Sequence, residues 1–215
     1  MKIAIVLYPG FTALDAVGPY ETLNALPGWD TVFVAEHAGP VTNDQGHLTF
    51  TAQAGFDEVK DADVLVVPGG PPAAIDAQTR NPNFLMWLQQ VDAATTFTTS
   101  VCMGSVLLAA AGLLKGRRAT SHWLGLHQGR LDGYGVTPVD DERVVTDGKY
   151  VTAAGVSAGI DMGLTLAGRL AGDDFAQIVQ LMIEYAPEPP YSTGSPHTAP
   201  ASLVDAMRTQ GFPHS

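Results

Sequence analysis

Cys102 is the only cysteine in the chain. It stands where a run of β-branched and aromatic residues, Phe97-Thr-Thr-Ser-Val101, gives way to an Ala- and Leu-rich stretch beginning at Gly104. A thiol at such a junction lies beside the unpaired N–H groups of a helix start. Their positive partial charge favours thiolate over thiol. Thiolate attacks carbon, which makes Cys102 a candidate nucleophile, although a lone cysteine also serves as a small buried hydrophobe. The strand–Cys–x–Gly–helix order has the form of a nucleophile elbow, in which a small residue two positions on lets the turn close. Ser100 takes the place of the first glycine of that motif.

A nucleophile needs a proton partner and a place for developing charge. Asp15, in Leu14-Asp-Ala-Val-Gly-Pro19, is one candidate carboxyl. Its alternative role is a helix-cap or surface acid, and Glu21, a helical turn or more further on, is a rival. Gly69-Gly70 permits close ligand approach, and its N–H groups, with the Met103 amide, form a candidate oxyanion site. The other reading of the pair is an ordinary tight turn. His122, in Ala119-Thr-Ser-His-Trp123, is open between pairing with the thiol and a cap or packing role. Histidines 37, 47, 127, 197 and 214 show no metal-binding rhythm, and a single cysteine argues against structural zinc.

The elements that must position these groups alternate. Strands are expected at Lys2–Leu7, Thr31–Glu36, Asp63–Val67 and 97–101. Helices are expected at about Thr12–Leu26, kinked near Gly18-Pro19, and from Asn81-Pro82, an N-cap followed by a first-turn proline. A third spans about 103–114, with Gly116 as its stop. Residues 37–60 suggest a hairpin or excursion. A short strand at Ala119–Ser121 precedes a helix at Trp123–Leu131, and Asp147-Gly148 turns a hairpin between Val144–Thr146 and Tyr150–Ala153. Further helices run from the cap Ser157 to about Leu170 and over Asp173–Tyr185. The proline-rich segment 187–200 then leads to a short terminal helix. This order predicts an α/β domain with a mostly parallel sheet and helices on both faces. Ligands of such sheets gather at the carboxyl ends of the strands, where Tyr8–Asp15, Pro68–Pro72 and Cys102 all fall.

Composition narrows the function classes. With 46% apolar and 15% charged residues, the chain is a folded domain rather than a disordered one. A formal charge of −11 opposes nucleic acid or an anionic membrane as partner. The apolar stretch 104–114 is too short to span a bilayer, and residues 1–7 lack a signal-peptide pattern, so a cytoplasmic protein is expected.

Together, Leu14-Asp-Ala-Val-Gly-Pro19, Val67-Pro-Gly-Gly70, Thr99-Ser-Val-Cys-Met-Gly-Ser105 and Ala119-Thr-Ser-His-Trp123 resemble the ThiJ/PfpI superfamily. Within it they are most similar to the isocyanide hydratases. Ala154-Gly-Val-Ser-Ala-Gly-Ile-Asp161, Glu184-Tyr-Ala-Pro-Glu-Pro-Pro190 and Gly194-Ser-Pro-His-Thr-Ala-Pro200 extend the likeness over nearly the whole chain. The resemblance implies one flavodoxin-like, class I glutamine amidotransferase-like domain over 1–215. It implies a homodimer that acts on a small molecule without metal or organic cofactor. Cys102 would be the nucleophile and Asp15 its proton partner, with Gly70 and Met103 supplying backbone amides. Val156 would line the pocket and His122 lie near the sulfur. The implied reaction is hydration of an organic isocyanide to an N-substituted formamide through a covalent thioimidate. A glutathione-independent glyoxalase-type hydratase and a cysteine redox sensor or ligand-binding protein are the alternatives. Met103 departs from the threonine of the isocyanide hydratases and from the histidine of the protease-like members, which argues against peptidase activity. Without a basic helix-turn-helix stretch, transcriptional control is not expected.

Overall fold

The computed structural model describes residues 1–25 and 27–211. Leu26, the expected end of the first helix, and His214 lie outside the described residues. The strands in chain order are β1 (Lys2–Val6), β2 (Asp30–Ala35), β3 (Gly39–Thr42), β4 (Thr49–Ala52), β5 (Ala54–Gly55) and β6 (Val64–Val67), then β7 (Phe97–Val101), β8 (Arg118–Ala119), β9 (Thr137–Pro138), β10 (Val144–Asp147) and β11 (Tyr150–Ala153). The helices are α1 (Ala13–Leu23), α2 (Pro72–Thr79), α3 (Pro82–Asp92) and α4 (Gly104–Ala110), then α5 (Trp123–His127), α6 (Ala158–Ala171), α7 (Asp173–Met182) and α8 (Ala201–Gln210).

Seven strands form one sheet in the order β10-β11-β7-β6-β1-β2-β5. All neighbours are parallel except the edge strand β10, which runs antiparallel to β11. The central strands are sealed on both faces. Ile3 to Val6 of β1 and Val64 to Val67 of β6 are each 0% exposed, which is why their sequences are continuous apolar runs rather than alternating ones. The expected excursion at 37–60 is the antiparallel β3–β4 hairpin followed by the short edge strand β5.

Several boundaries differ from the expectations for local physical reasons. α1 continues through Pro19 to Leu23, and the proline removes the N–H that would have bonded the Asp15 carbonyl. Pro68-Gly-Gly-Pro-Pro72 ends a strand, as expected, but Pro72 also opens α2, where a missing first-turn N–H costs nothing. Asn81 caps α3 by accepting from the N–H groups of Asn83 and Phe84. α4 stops at Ala110, because Gly112 has φ 79° and turns the chain before Gly116 is reached. α5 likewise ends early, at His127. Ser157 occupies the N-cap position of α6, yet its hydroxyl makes no capping bond and accepts from Arg143 Nη2 at 3.0 Å instead. Among the described residues, no helix is long and apolar enough to cross a membrane.

Candidate active site

Cys102 sits in the tight turn between β7 and α4 with φ 57°, a left-handed conformation that costs a non-glycine residue about 1–2 kcal/mol. Its backbone is held from both sides. The N–H donates to the carbonyls of Ala153 (3.1 Å) and Ala154 (3.0 Å), and the carbonyl accepts from Ser121 Oγ (3.0 Å) and Ser105 Oγ (3.3 Å). These bonds lock the turn against relaxation. Gly104 closes it: a Cβ there would lie 2.1 Å from the Val67 carbonyl oxygen, so no larger residue fits.

Asp15 is 0% exposed, in the first turn of α1 with its carboxyl directed inward. Gly69 N–H donates to Oδ2 at 2.9 Å, while Oδ1 is buried with no partner at hydrogen-bonding geometry. Gly69 lies between the acid and the thiol. A Cβ on it would stand 2.6 Å from Met103 N, 2.9 Å from Cys102 Cβ and 3.0 Å from Asp15 Oδ2. Absence of that one carbon lets carboxyl and nucleophile approach each other.

Burial pushes the Asp15 carboxyl well above the usual carboxylate range. The Gly69 N–H opposes this, the negative charge of Asp44 adds to it, and the Cys102 thiol, a weak donor, opposes it. Burial likewise raises the Cys102 thiol, and the Asp15 charge raises it further. The N–H groups of Met103 and Val156 pull the other way by favouring thiolate. The helix-start effect inferred from sequence is therefore present in Met103, but a thiol only 3% exposed is governed by desolvation. Two buried groups coupled in this way titrate as a unit, so their proton affinities belong to the pair rather than to either residue.

The remaining residues singled out in the sequence take varied places. Gly70 faces the loop after β1, where a Cβ would meet the Gly10 carbonyl oxygen at 2.8 Å, and it is Gly69 that bonds the acid. Met103 offers its amide to the sulfur, but its side chain is fully buried with Cγ and Sδ 3.4 and 3.6 Å from a Cβ built on Gly125. Val156 has φ 20° and also donates its amide to the sulfur, a role the sequence did not suggest. His122 Nδ1 accepts from Leu124 N–H at 3.2 Å at the start of α5. Burial lowers its pKa to about 4, so near neutral pH the ring is uncharged. Glu21 is exposed and stands apart. Two groups escaped sequence reasoning. Tyr8 donates to the Pro68 carbonyl at 2.8 Å, and Asp44 Oδ2 accepts from Thr12 Oγ1 at 2.9 Å. Tyr8 immediately follows the β1 run, so its strand-end position was the available signal; nothing in the spacing marks Asp44.

A cavity of about 400 Å³ opens beside the pair. Leu14, His122, Trp123 and Val156 line its inner side, and Gly194 to His197 of the proline-rich segment cover it. Neither Cys102 nor Asp15 is among the residues that line it; Ala154, whose carbonyl accepts from Cys102 N–H, and Val156, whose amide favours the thiolate, are. His197 Nε2 lies 2.9 Å from the Asp140 carbonyl oxygen, which fastens the covering segment to the rim. The volume suits a small organic molecule. Among the described residues, no group of three or more His, Cys, Asp or Glu side chains is placed to hold a metal ion.

The chain is similar to known proteins over nearly its whole length. The profile of the DJ-1/PfpI family matches residues 1–169. An isonitrile hydratase of Pseudomonas putida is 42% identical over 213 residues, 99% of this chain and 91% of that protein. The crystal structure of a ThiJ/PfpI family protein from Pseudomonas syringae superposes with a TM-score of 0.92 at 40% identity, covering 97% of this chain and 85% of that one. Drosophila melanogaster DJ-1beta, 22% identical, shares the fold with a TM-score of 0.76 over 86% of this chain and 98% of its own.

Proposed function

The chain belongs to the DJ-1/PfpI family, and from that premise we propose that it hydrates organic isocyanides to N-substituted formamides. The observation that carries the reading is the buried Cys102–Asp15 pair, brought together across Gly69; the pair's neighbours Leu14 and Val156 line a small-molecule cavity. The full-length similarity to an isonitrile hydratase selects this reaction among those open to a thiol and an acid.

An isocyanide carbon must gain both a nucleophile and a proton. Cys102 supplies the first: its sulfur attacks the terminal carbon and forms a C–S bond. Asp15 takes the thiol proton and delivers it to the same carbon, forming a C–H bond, so the product is a thioimidate with no proton gained from solvent. The backbone N–H groups of Met103 and Val156 hold sulfur charge while the proton is on Asp15. Water then adds to the thioimidate carbon, giving one proton to the Asp15 carboxylate, which passes it to nitrogen. The C–S bond breaks as Asp15 takes the proton of the new hydroxyl and returns it to sulfur, so formamide leaves and the thiol is restored. The uncharged ring of His122 keeps a cap role at α5 and adds no positive charge beside the sulfur.

The test is incubation of pure protein with para-nitrophenyl isocyanide, followed by chromatography of the formamide. Turnover above that of Cys102→Ala supports the reading; equal rates refute it for that substrate. Lactate from methylglyoxal, without glutathione and without isocyanide turnover, would assign the glyoxalase-type reaction instead.

A further inference from the structure

The turn between β3 and β4 reaches across to the active-site loop. Thr42 accepts from Gly10 N–H at 3.0 Å, and Asp44 N–H donates to the Phe11 carbonyl at 3.0 Å. The Asp44 carboxylate is fixed at both oxygens. Oδ2 accepts from Thr12 Oγ1 (2.9 Å), while Oδ1 accepts from Gln45 N–H (2.9 Å) and Asn43 Nδ2 (3.0 Å). Thr12 is itself bound into the pair's surroundings. Its N–H donates to the Gly69 carbonyl at 2.9 Å, its carbonyl accepts from Asp15 N–H at 3.1 Å, and Gly69 N–H holds the Asp15 carboxylate. A second carboxylate is thus anchored at the start of α1, one hydrogen-bonded residue from the catalytic acid, and it does not line the cavity.

We propose that Asp44 is a positioning residue whose fixed negative charge places the shared proton on Asp15 and so leaves the Cys102 sulfur as the charged partner. The proposal rests on the acid–base role given to Asp15 above. A like charge nearby favours the protonated carboxyl. Asp44 acts in that sense on Asp15, and the hydrogen-bonded route from Asp44 runs through Thr12 to the acid and to Gly69 rather than to the sulfur. The placement matters: Asp44 biases the acid more than its partner. The other titratable group facing this pocket is Tyr8, across from the acid, and no lysine, arginine or histidine contributes to the shift of Asp15.

The test reads the sulfur directly, without isocyanide. Alkylation of Cys102 by iodoacetamide is followed by intact mass across pH 5–9 (roughly the window in which such pairs exchange a proton) for wild type, Asp44→Asn and Asp44→Glu. Asparagine keeps an acceptor for the Thr12 hydroxyl and removes the charge. Its neutral-pH rate is expected to fall about three- to tenfold, with the acid midpoint moved down by about half to one unit. At the acid extreme its rate should meet that of wild type, because there the thiolate must form beside an already protonated acid. Asp44→Glu should restore the wild-type midpoint. A uniform loss at every pH, or an unmoved midpoint, overturns the proposal. Should Asp44→Asn not fold, Asp44→Ser makes the same comparison with the same expectation. Failure of the isocyanide assay with a normal alkylation shift would refute the hydratase reading and leave this one standing.

Discussion

Replacing Asp15 by asparagine should move activity and stability in opposite directions. The carboxamide oxygen of Asp15→Asn can accept the Gly69 N–H that now reaches Oδ2 at 2.9 Å, so the local fold is retained. The relay of a proton from sulfur to carbon is lost. General acid–base groups contribute about 10²- to 10⁴-fold, and turnover should fall by that factor. Stability should rise, because a carboxyl that is 0% exposed and holds one N–H partner is desolvated at a cost of about 1–3 kcal/mol. In a domain of this size that is a Tm increase of about 2–4 °C for each kcal/mol. Its pH dependence follows from the direction of the Asp15 shift. The folded state holds the proton more tightly than the unfolded state, so the wild-type contribution is intact below the ordinary aspartate value of about 3.9 and is lost as pH rises through the raised one. The variant's advantage should therefore be small near pH 4 and grow toward neutrality. Thermal unfolding at a series of pH values, paired with formamide production, measures both effects. A lowered Tm at neutral pH, or turnover within about threefold of wild type (well short of the acid–base contribution), would refute the reasoning.

Gly69→Ala puts a Cβ within 3.0 Å of Met103 N, Cys102 Cβ and Asp15 Oδ2, so it should cost about 1–3 kcal/mol in denaturant unfolding. Its turnover should drop by roughly 10²-fold, since the reacting groups are pushed apart. His122, with its folded pKa near 4, should make wild type lose up to about 3 kcal/mol as pH falls from about 6.5 to 4, because the unfolded state binds the proton first. Equilibrium unfolding of His122→Asn, which can still cap α5, should lack that slope. Met103→Thr should cost about 2–3 kcal/mol by leaving a gap against Gly125, while the turnover of the folded variant changes less than about threefold. Denaturant unfolding and kcat together separate these two effects.

The sheet was legible because its central strands are buried on both faces and read as unbroken apolar runs, as in Ile3–Val6 and Val64–Val67. The elbow was legible because Cys102-Met-Gly104 encodes it locally, with Gly104 pressed against the Val67 carbonyl. Asp15 could be named as a candidate, but not separated from a surface acid until α1 was seen to turn it inward. What escaped is non-local. The proton affinity of Cys102 depends on burial by elements far away in sequence, so a helix-start argument gave only the smaller contribution. Val156 donates through its backbone, which residue type does not reveal. Asp44 arrives on a hairpin joined to the first loop by a hydrogen bond that spans 32 residues of sequence. α2 was missed because its opening prolines also read as a turn.

The most direct measurement is rapid acid quench of a single turnover with para-nitrophenyl isocyanide, followed by peptide mass spectrometry. The expected result is a transient adduct on the peptide containing Cys102, heavier by the full mass of one isocyanide, that decays as formamide appears and never forms in Cys102→Ala. Formamide production with no adduct on that peptide, or undiminished production by Cys102→Ala, would contradict covalent catalysis by this cysteine.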